Sequence, residues 1–244
     1  MDDKKLTATI TQIHRDSREV YGSPRVHKAL KRQGISIGKK RVERLMQSQG
    51  LQGRVVKVTR RQPGLKRFKE RGDNLRLNQP EANRINQIWV SDITYIKVRD
   101  TYRFLTVIMD IYSRRILSWS LTEDRTTKET SAVLKRAAQE RQPAAGLVFH
   151  TDRGIEFTGK VFRKTLAQFN MSASVNRLGY CTDNGHMESF FHSLKAELIR
   201  GRKFNSMAEL RYALNSYINH FYNKKRLHSG IGYCPPIEYE KLAA

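Results

Sequence analysis

Long apolar runs are missing from this 244-residue chain, and none approaches the ~20 residues of a membrane span. Cysteine is scarce: Cys181 and Cys234 form no Cys-x-x-Cys pair, and neither lies near His14 or His27. That leaves no basis for a structural zinc site. Negative charge is also short, with 23 Asp+Glu against 46 Lys+Arg for a net charge of +23. Solubility alone asks for a magnitude of only about 2 to 8, so a polyanion is the natural counterpart. The opening Met1-Asp2-Asp3-Lys4-Lys5 leads into polar, helix-like sequence and is not a signal peptide. The expected location is the cytoplasm, on the nucleoid, with no membrane partner.

What is present is unevenly spread. Residues 1–86 carry 22 Lys+Arg and 8 Asp+Glu, whereas residues 87–244 carry 24 and 15. In the front third Leu6, Ile10, Ile13 and Val20 recur at helical spacing, and Ser23 and Pro24 then start a second helix that ends at Gly34. A third helix, from Lys39 to Ser48, buries Val42, Leu45 and Met46 and exposes Lys39, Lys40, Arg41 and Arg44. Residues 1–50 therefore resemble a helix-turn-helix-like unit whose last helix meets DNA, the plainer reading being a helical cap with a solvated charged face. Residues 51–86 read as a basic linker, with nine Lys+Arg from Arg54 to Arg76. It is expected to follow a phosphate backbone when DNA is present and to be mobile otherwise.

From residue 87 the pattern changes. Strands are predicted over 87–97, 102–112 and 114–121, a helix over 126–141, a strand over 147–149, a helix over 158–169, a short strand over 171–175 and a long helix over 183–200. The fold class is α/β, a mixed sheet covered by helices, with residues 87–200 as the core and 201–244 as a C-terminal helical extension. On this layout Asp92 lies on the first strand, Asp152 just beyond the fourth and Glu188 on the long helix, with 59 and 35 residues between them. Three converging carboxylates can hold two hard divalent cations, an arrangement that cuts and joins phosphodiester bonds. On the long helix Met187, Phe190, Phe191, Leu194 and Leu198 form an apolar stripe, while Glu188, His192 and Lys195 share another face, the last two as candidate DNA contacts.

Bland readings fit other residues. Asp110, Asp124 and Glu197 read as caps or surface acids, and Tyr217, Phe221, Tyr222 and Tyr233 as packing of a C-terminal helix. His150 and Arg153 have the spacing of a tyrosine recombinase pair, but no arginine block precedes them and no nucleophilic tyrosine stands out after them. His150 then reads as strand-end packing and Arg153 as a loop or phosphate contact.

Five blocks carry a family resemblance: Tyr21-Gly22-Ser23-Pro24-Arg25, Trp89 to Tyr95, His150 to Gly154, Asp183 to Phe191 with Leu194-Lys195, and Tyr222-Asn223, Arg226, His228 and Gly232-Tyr233. In order and spacing they resemble the OrfB-type catalytic subunit of the third insertion-sequence family of bacterial transposases, relatives of retroviral integrases. The resemblance implies a ribonuclease-H-like integrase core with a mixed five-stranded sheet, and an Asp-Asp-Glu triad of Asp92, Asp152 and Glu188. It implies two Mg²⁺ ions, with Mn²⁺ as a substitute. The implied partners are double-stranded DNA, both terminal inverted repeats and target, a homo-oligomer on that DNA and an upstream-frame OrfA-type product. Activity would free a 3′-hydroxyl at the element's end and join it to another phosphodiester. The alternative is an accessory or regulatory DNA-binding subunit, inactive unless fused to the upstream-frame product. Two departures stand out: Glu156, where relatives often have glutamine, and Gly185, where they often have alanine, which should loosen the helix start by ~1 kcal/mol. Glu156 and Asp183 are expected to position loops.

Overall fold

Asp2 opens the first helix by accepting a hydrogen bond from the Lys5 amide at 2.8 Å. The computed structural model describes residues 2–54, 72–77, 81–177 and 180–243. Most of the basic linker, and with it the expected backbone tracking and mobility, lies outside the described residues. Helices α1 (Asp3–Asp16), α2 (Ser23–Arg32) and α3 (Lys39–Ser48) pack around Leu6, Ile10, Val26, Leu30 and Val42, all fully buried. Gly22 rather than Ser23 occupies the cap position of α2, with no side-chain cap, and Pro24 sits in its first turn. The left-handed turns after α2 and α3 fall on Gly34 (φ 79°) and Gly50 (φ 63°), where a β-carbon would be strained.

Behind this unit lies a five-stranded sheet in the order β3-β2-β1-β4-β5. Strands β1 (Ile88–Val98), β2 (Thr101–Asp110) and β3 (Ile116–Thr122) form an antiparallel meander. After helix α4 (Thr127–Arg141), β4 (Val148–Thr151) returns parallel to β1, and β5 (Ser172–Val175) adds parallel to β4. The pleat divides the core in two, because successive residues face opposite sides. Trp89, Ile108 and Phe149 join Val133, Leu134 and Phe162 under α4 and α6 (Lys160–Gln168). Val90, Val107 and Met109 join Met187, Phe190 and Leu194 of α7 (Gly185–Leu194) on the other face.

Several boundaries differ from the periodicity. The helix expected over 158–169 is two: α5 (Ile155–Thr158) and α6, separated by Gly159. A β-carbon on Gly159 would stand 2.8 Å from Thr127 Oγ1, so the chain passes close to α4 there. The helix expected over 183–200 is a 3-10 turn (Cys181–Asn184), α7 and a π-wound turn (Lys195–Ile199). A second π-wound segment (Ser216–Tyr222) follows α8 (Met207–Asn215), and α9 (Pro236–Leu242) ends the described chain.

The two π-wound segments meet at a buried ion pair. Glu197 Oε1 lies 2.6 Å from Arg226 Nη2, and Tyr217 Oη donates to Glu197 Oε2 at 2.7 Å. Asp110 is likewise fully buried, accepting from the amides of Asn86, Tyr112 and Ser113 and so shaping the turn after β2. Asp110 is thus a cap, as its sequence context suggested, but a buried one, whereas Glu197 is neither a cap nor a surface group. Tyr217, Phe221 and Tyr222 are buried in the core, as expected of packing residues. Removing one partner of a buried pair strands the other charge. Glu197→Ala should therefore cost about 3–5 kcal/mol of unfolding free energy in a urea titration; a loss below ~1 kcal/mol would show the pair is dispensable.

Candidate active site

The parallel pairing of β1 with β4 runs at a constant offset: Ile88 faces Val148, Trp89 faces Phe149 and Val90 faces His150. The ladder ends there, and the same offset of 60 carried two residues further sets Asp92 of β1 opposite Asp152, just past the end of β4. Asp92 leaves β1 half-buried, and Asp152 follows the last residue of β4, Thr151. Two residues on, Gly154 leaves room for carboxylates: a β-carbon there would lie 2.7 Å from Glu156 Oε2 and 3.0 Å from Asp152 Oδ1. Its amide donates to Asp152 Oδ1 at 3.0 Å.

Glu188 reaches the same place from above. Asn184 Nδ2, at the start of α7, donates to the Ser91 carbonyl at 3.1 Å and so fixes the helix end beside Asp92. Met187, Phe190, Phe191 and Leu194 bury the opposite stripe, leaving Glu188 half-buried in the first turn. Asn184 was not singled out as a positioning residue in the sequence; an asparagine before a helix ordinarily signals only a cap.

Electrostatics ties the three together. Burial, then the Asp152 and Glu188 carboxylates, pushes the Asp92 carboxyl up to about 8; the Ile93 amide, at 2.7 Å from Oδ1, and Lys195 oppose the rise. Burial, then Glu156, raises Asp152, while the Gly154 amide and Arg125 hold it down. These are acids short of positive charge. They are neighbours but not a closed cage, since among the described residues no group of three His, Cys, Asp or Glu side chains is gathered to hold an ion. Two of the carboxylates are turned onto backbone amides instead, which relieves the mutual repulsion of like charges. An all-oxygen donor set with unbalanced negative charge suits a hard divalent cation.

The remaining candidates divide. Lys195 borders the triad: its Nζ sits 5.4 Å from the Tyr95 ring centre, and Asp92 raises its pKa against the larger effect of burial. His192 is half-buried on the same helix. Lys39 and Lys40 are exposed at the start of α3, whereas Arg41 and Arg44 pair with Asp3 at 2.6 and 2.8 Å. Glu156 is buried and paired with Arg125 at 3.1 Å, an arginine the sequence gave no reason to single out. Asp183 accepts from Asn74, the Arg177 amide and the Arg177 guanidinium, which holds it down to about 2. It thereby ties the described linker residues 72–77 to the approach to α7.

The recombinase reading fails on His150, which is fully buried between Ser174 Oγ (2.8 Å) and Asn176 Oδ1 (2.7 Å). Burial and then Arg76 lower its pKa to about 4, so it stays neutral. Arg153 donates to the Asn176 and Gly72 carbonyls, a loop contact.

Comparison with known proteins is decisive at this point. The chain is 33% identical over 241 residues to the transposase for insertion sequence element IS904 of Lactococcus lactis, covering 97% of this chain and 93% of that protein. It is 32% identical to the transposase InsF for insertion sequence IS3A of Escherichia coli, covering 92% and 78%. The chain belongs to the IS3 family of insertion-sequence transposases. Residues 1–59 match the HTH-like domain, and residues 82–181 and 188–242 match two integrase core domain families. A chain of the simian T-cell lymphotropic virus intasome, 17% identical, superposes with a TM-score of 0.56 over 95% of this chain and 74% of its own length, a likeness of fold. The protein is thus a DNA transposase with a ribonuclease-H-like core, and DNA is its partner. No helix among the described residues is long and apolar enough to cross a membrane.

The raised Asp92 carboxyl makes a pH prediction for the metal-free transposase. The folded state keeps this proton up to about pH 8, whereas the unfolded chain releases it near its ordinary value of 3.8. Between those limits the folded state binds more protons, so stability falls as pH rises. In the presence of chelator, wild type should lose stability relative to Asp92→Asn as pH climbs from about 4 to about 8. A difference that stays constant across that window in chemical denaturation would contradict the assignment.

Proposed function

We propose that Asp92, Asp152 and Glu188 are the metal-binding catalytic triad with which this transposase cleaves insertion-element ends and joins the freed 3′-hydroxyl to another phosphodiester. The supporting observation is the Asp92 carboxyl, driven upward by burial and by the other two acids. Oxygens of Asp92, Asp152 and Glu188 would hold a pair of Mg²⁺ ions, or Mn²⁺ in its place, which would supply Lewis-acid activation of a water or hydroxyl and charge neutralisation at the leaving oxygen. The chain's own residues do the positioning. Asn184 and Asp183 hold the start of α7 so that Glu188 faces the strand ends. Arg125 and Glu156 brace the loop after Asp152, and Lys195 offers a cation on the Glu188 side of the helix where a scissile phosphate would lie.

In this reading residues 1–50 grip DNA, 51–86 link, 87–200 catalyse and 201–244 extend the core. Lys39 and Lys40 contact phosphates; Arg41 and Arg44 exchange Asp3 for DNA, and His192 and Lys195 contact DNA near the triad. The enzyme works in the cytoplasm on the nucleoid, as a homo-oligomer on terminal inverted repeats and target DNA, with an OrfA-type product of the upstream frame as partner. The accessory-subunit alternative leaves the crowding of three acids without a use.

Two measurements test this. With pre-cut element ends and Mg²⁺, Asp152→Asn should lower strand transfer at least ~10³-fold while duplex binding is kept; equal activity in the two proteins refutes the triad, and no transfer by wild type without the upstream-frame product favours the accessory reading. Separately, duplex affinity should fall about 10³-fold or more between ~50 and 200 mM salt, and replacing Lys39 and Lys40 by alanine should reduce the slope by about 2. A flat dependence would remove the front helices from DNA binding.

A further inference from the structure

Two of the stretches that carry the family resemblance, Tyr21–Arg25 and Tyr222–Tyr233, meet in space. Tyr21 Oη accepts from the Leu227 amide at 2.7 Å and donates to the Lys225 carbonyl at 3.2 Å, and Arg25 Nε donates to the Leu227 carbonyl at 3.1 Å. Beside this junction, α2, the turn between β2 and β3, α7 and residues 226–230 enclose a cavity of about 250 Å³. That is slightly below the ~300–1,000 Å³ of pockets for drug-sized ligands, and enough for a small hydrated ion.

Its lining is cationic. Arg25, Arg114 and Arg226 all border it, with Ser193 and His228. Glu197 balances Arg226. Among the described residues neither Arg25 nor Arg114 forms a salt bridge; Glu197 acts on Arg25, and Glu81 and Asp110 on Arg114, only from a distance. Burial pushes both arginines down, and Arg226 pushes Arg25 further. A guanidinium does not shed its proton in a protein, so two half-buried arginines with only distant counter-charge carry a cost that an anion would reduce.

His228 adds an unused donor. The residue is 8% exposed, and its Nε2 is buried without a hydrogen-bond partner. Burial, then Arg226 and Arg25, keeps the ring neutral. Arg226 Nη1 approaches Nδ1 at 3.4 Å, and because a guanidinium only donates, Nδ1 is the acceptor and Nε2 carries the proton. The nearby Tyr222 carbonyl favours the charged ring but does not satisfy Nε2. A buried N–H with no hydrogen-bond partner, in a cavity bordered by two arginines that form no salt bridge, suits a compact oxyanion.

We propose that this cavity binds a phosphate-class oxyanion, held by the guanidiniums of Arg25 and Arg114 and by the Nε2–H of His228, and that the bound anion ties α2 to the catalytic core. It opens on a different face of α7 from Glu188. His186, Ser189 and Ser193 of α7 line it, and at ~100° per residue they lie about 100–200° round the helix from Glu188. The phosphate has two possible sources, a free anion or the backbone of bound DNA.

Inorganic phosphate, compared with chloride at equal ionic strength in a thermal unfolding assay, tests the site without requiring catalysis. At about four times its Kd, phosphate should raise the midpoint of the full-length protein by roughly 2–4 °C. Arg114→Gln should lose most of that shift and Arg114→Lys should keep at least half; each variant's phosphate-free midpoint reports whether it folds. If Arg114→Gln does not fold, Arg25→Gln serves in its place. No shift in wild type, or an equal shift in a folded variant, overturns the proposal. The salt dependence of duplex binding then identifies the source: a slope lower by about 1 in Arg114→Gln assigns the site to a DNA phosphate, and an unchanged slope with the wild-type shift present assigns it to a free anion.

Discussion

Parallel pairing between β1 and β4 is the constraint on which the candidate site rests. Asp92 and Asp152 are 60 positions apart, and only a crossover through α4 brings their strands side by side in the same direction. The register matters as much as the pairing. A slip of one residue would turn Asp92 toward the face covered by Trp89, Phe149 and Phe162, and Val90 out of its own core. The large apolar residues on both faces of β1 and β4 therefore hold the carboxylates level with each other, although none of them touches the chemistry.

The second constraint is electrostatic. A chain rich in Lys and Arg has its most crowded acids at one point, where burial and mutual repulsion favour protonation. Where acids serve only structure, each has a cation or amides: Glu197 has Arg226, Glu240 has Arg115 and Arg141, and Asp110 has three backbone amides. Asp92 has one amide and a distant lysine. The contrast separates acids that complete the fold from acids left in need of a ligand, and the cationic cavity near Arg114 shows the same imbalance with the opposite sign.

Much of this was legible in the sequence, and what was not has physical reasons. The alternation of Trp89, Val90 and the β-branched residues after them marks β1, and the Phe190/Leu194 stripe marks α7, because both patterns are local. Partners remote in sequence leave no such trace: the hold of Asn184 on Ser91, the bracing of Glu156 by Arg125 and the meeting of Arg25 with Leu227 depend on the finished fold. Periodicity also overran the helix ends. It could not register the close approach at Gly159 or the π-wound turns that bring Glu197 to Tyr217, since both are set by packing against other elements. Asp110 and Glu197 looked like surface acids because burial with a satisfied partner cannot be read from one residue's neighbours.

Anomalous diffraction from crystals grown with Mn²⁺ tests the central claim most directly. The account predicts metal density between the middle of β1 and the end of β4, within about 2.0–2.6 Å of oxygens from Asp92, Asp152 and Glu188, with Asp92 and Asp152 rotated off the amides of Ile93 and Gly154. Manganese bound elsewhere, or a saturated crystal in which these three carboxylates share no ion, would contradict it.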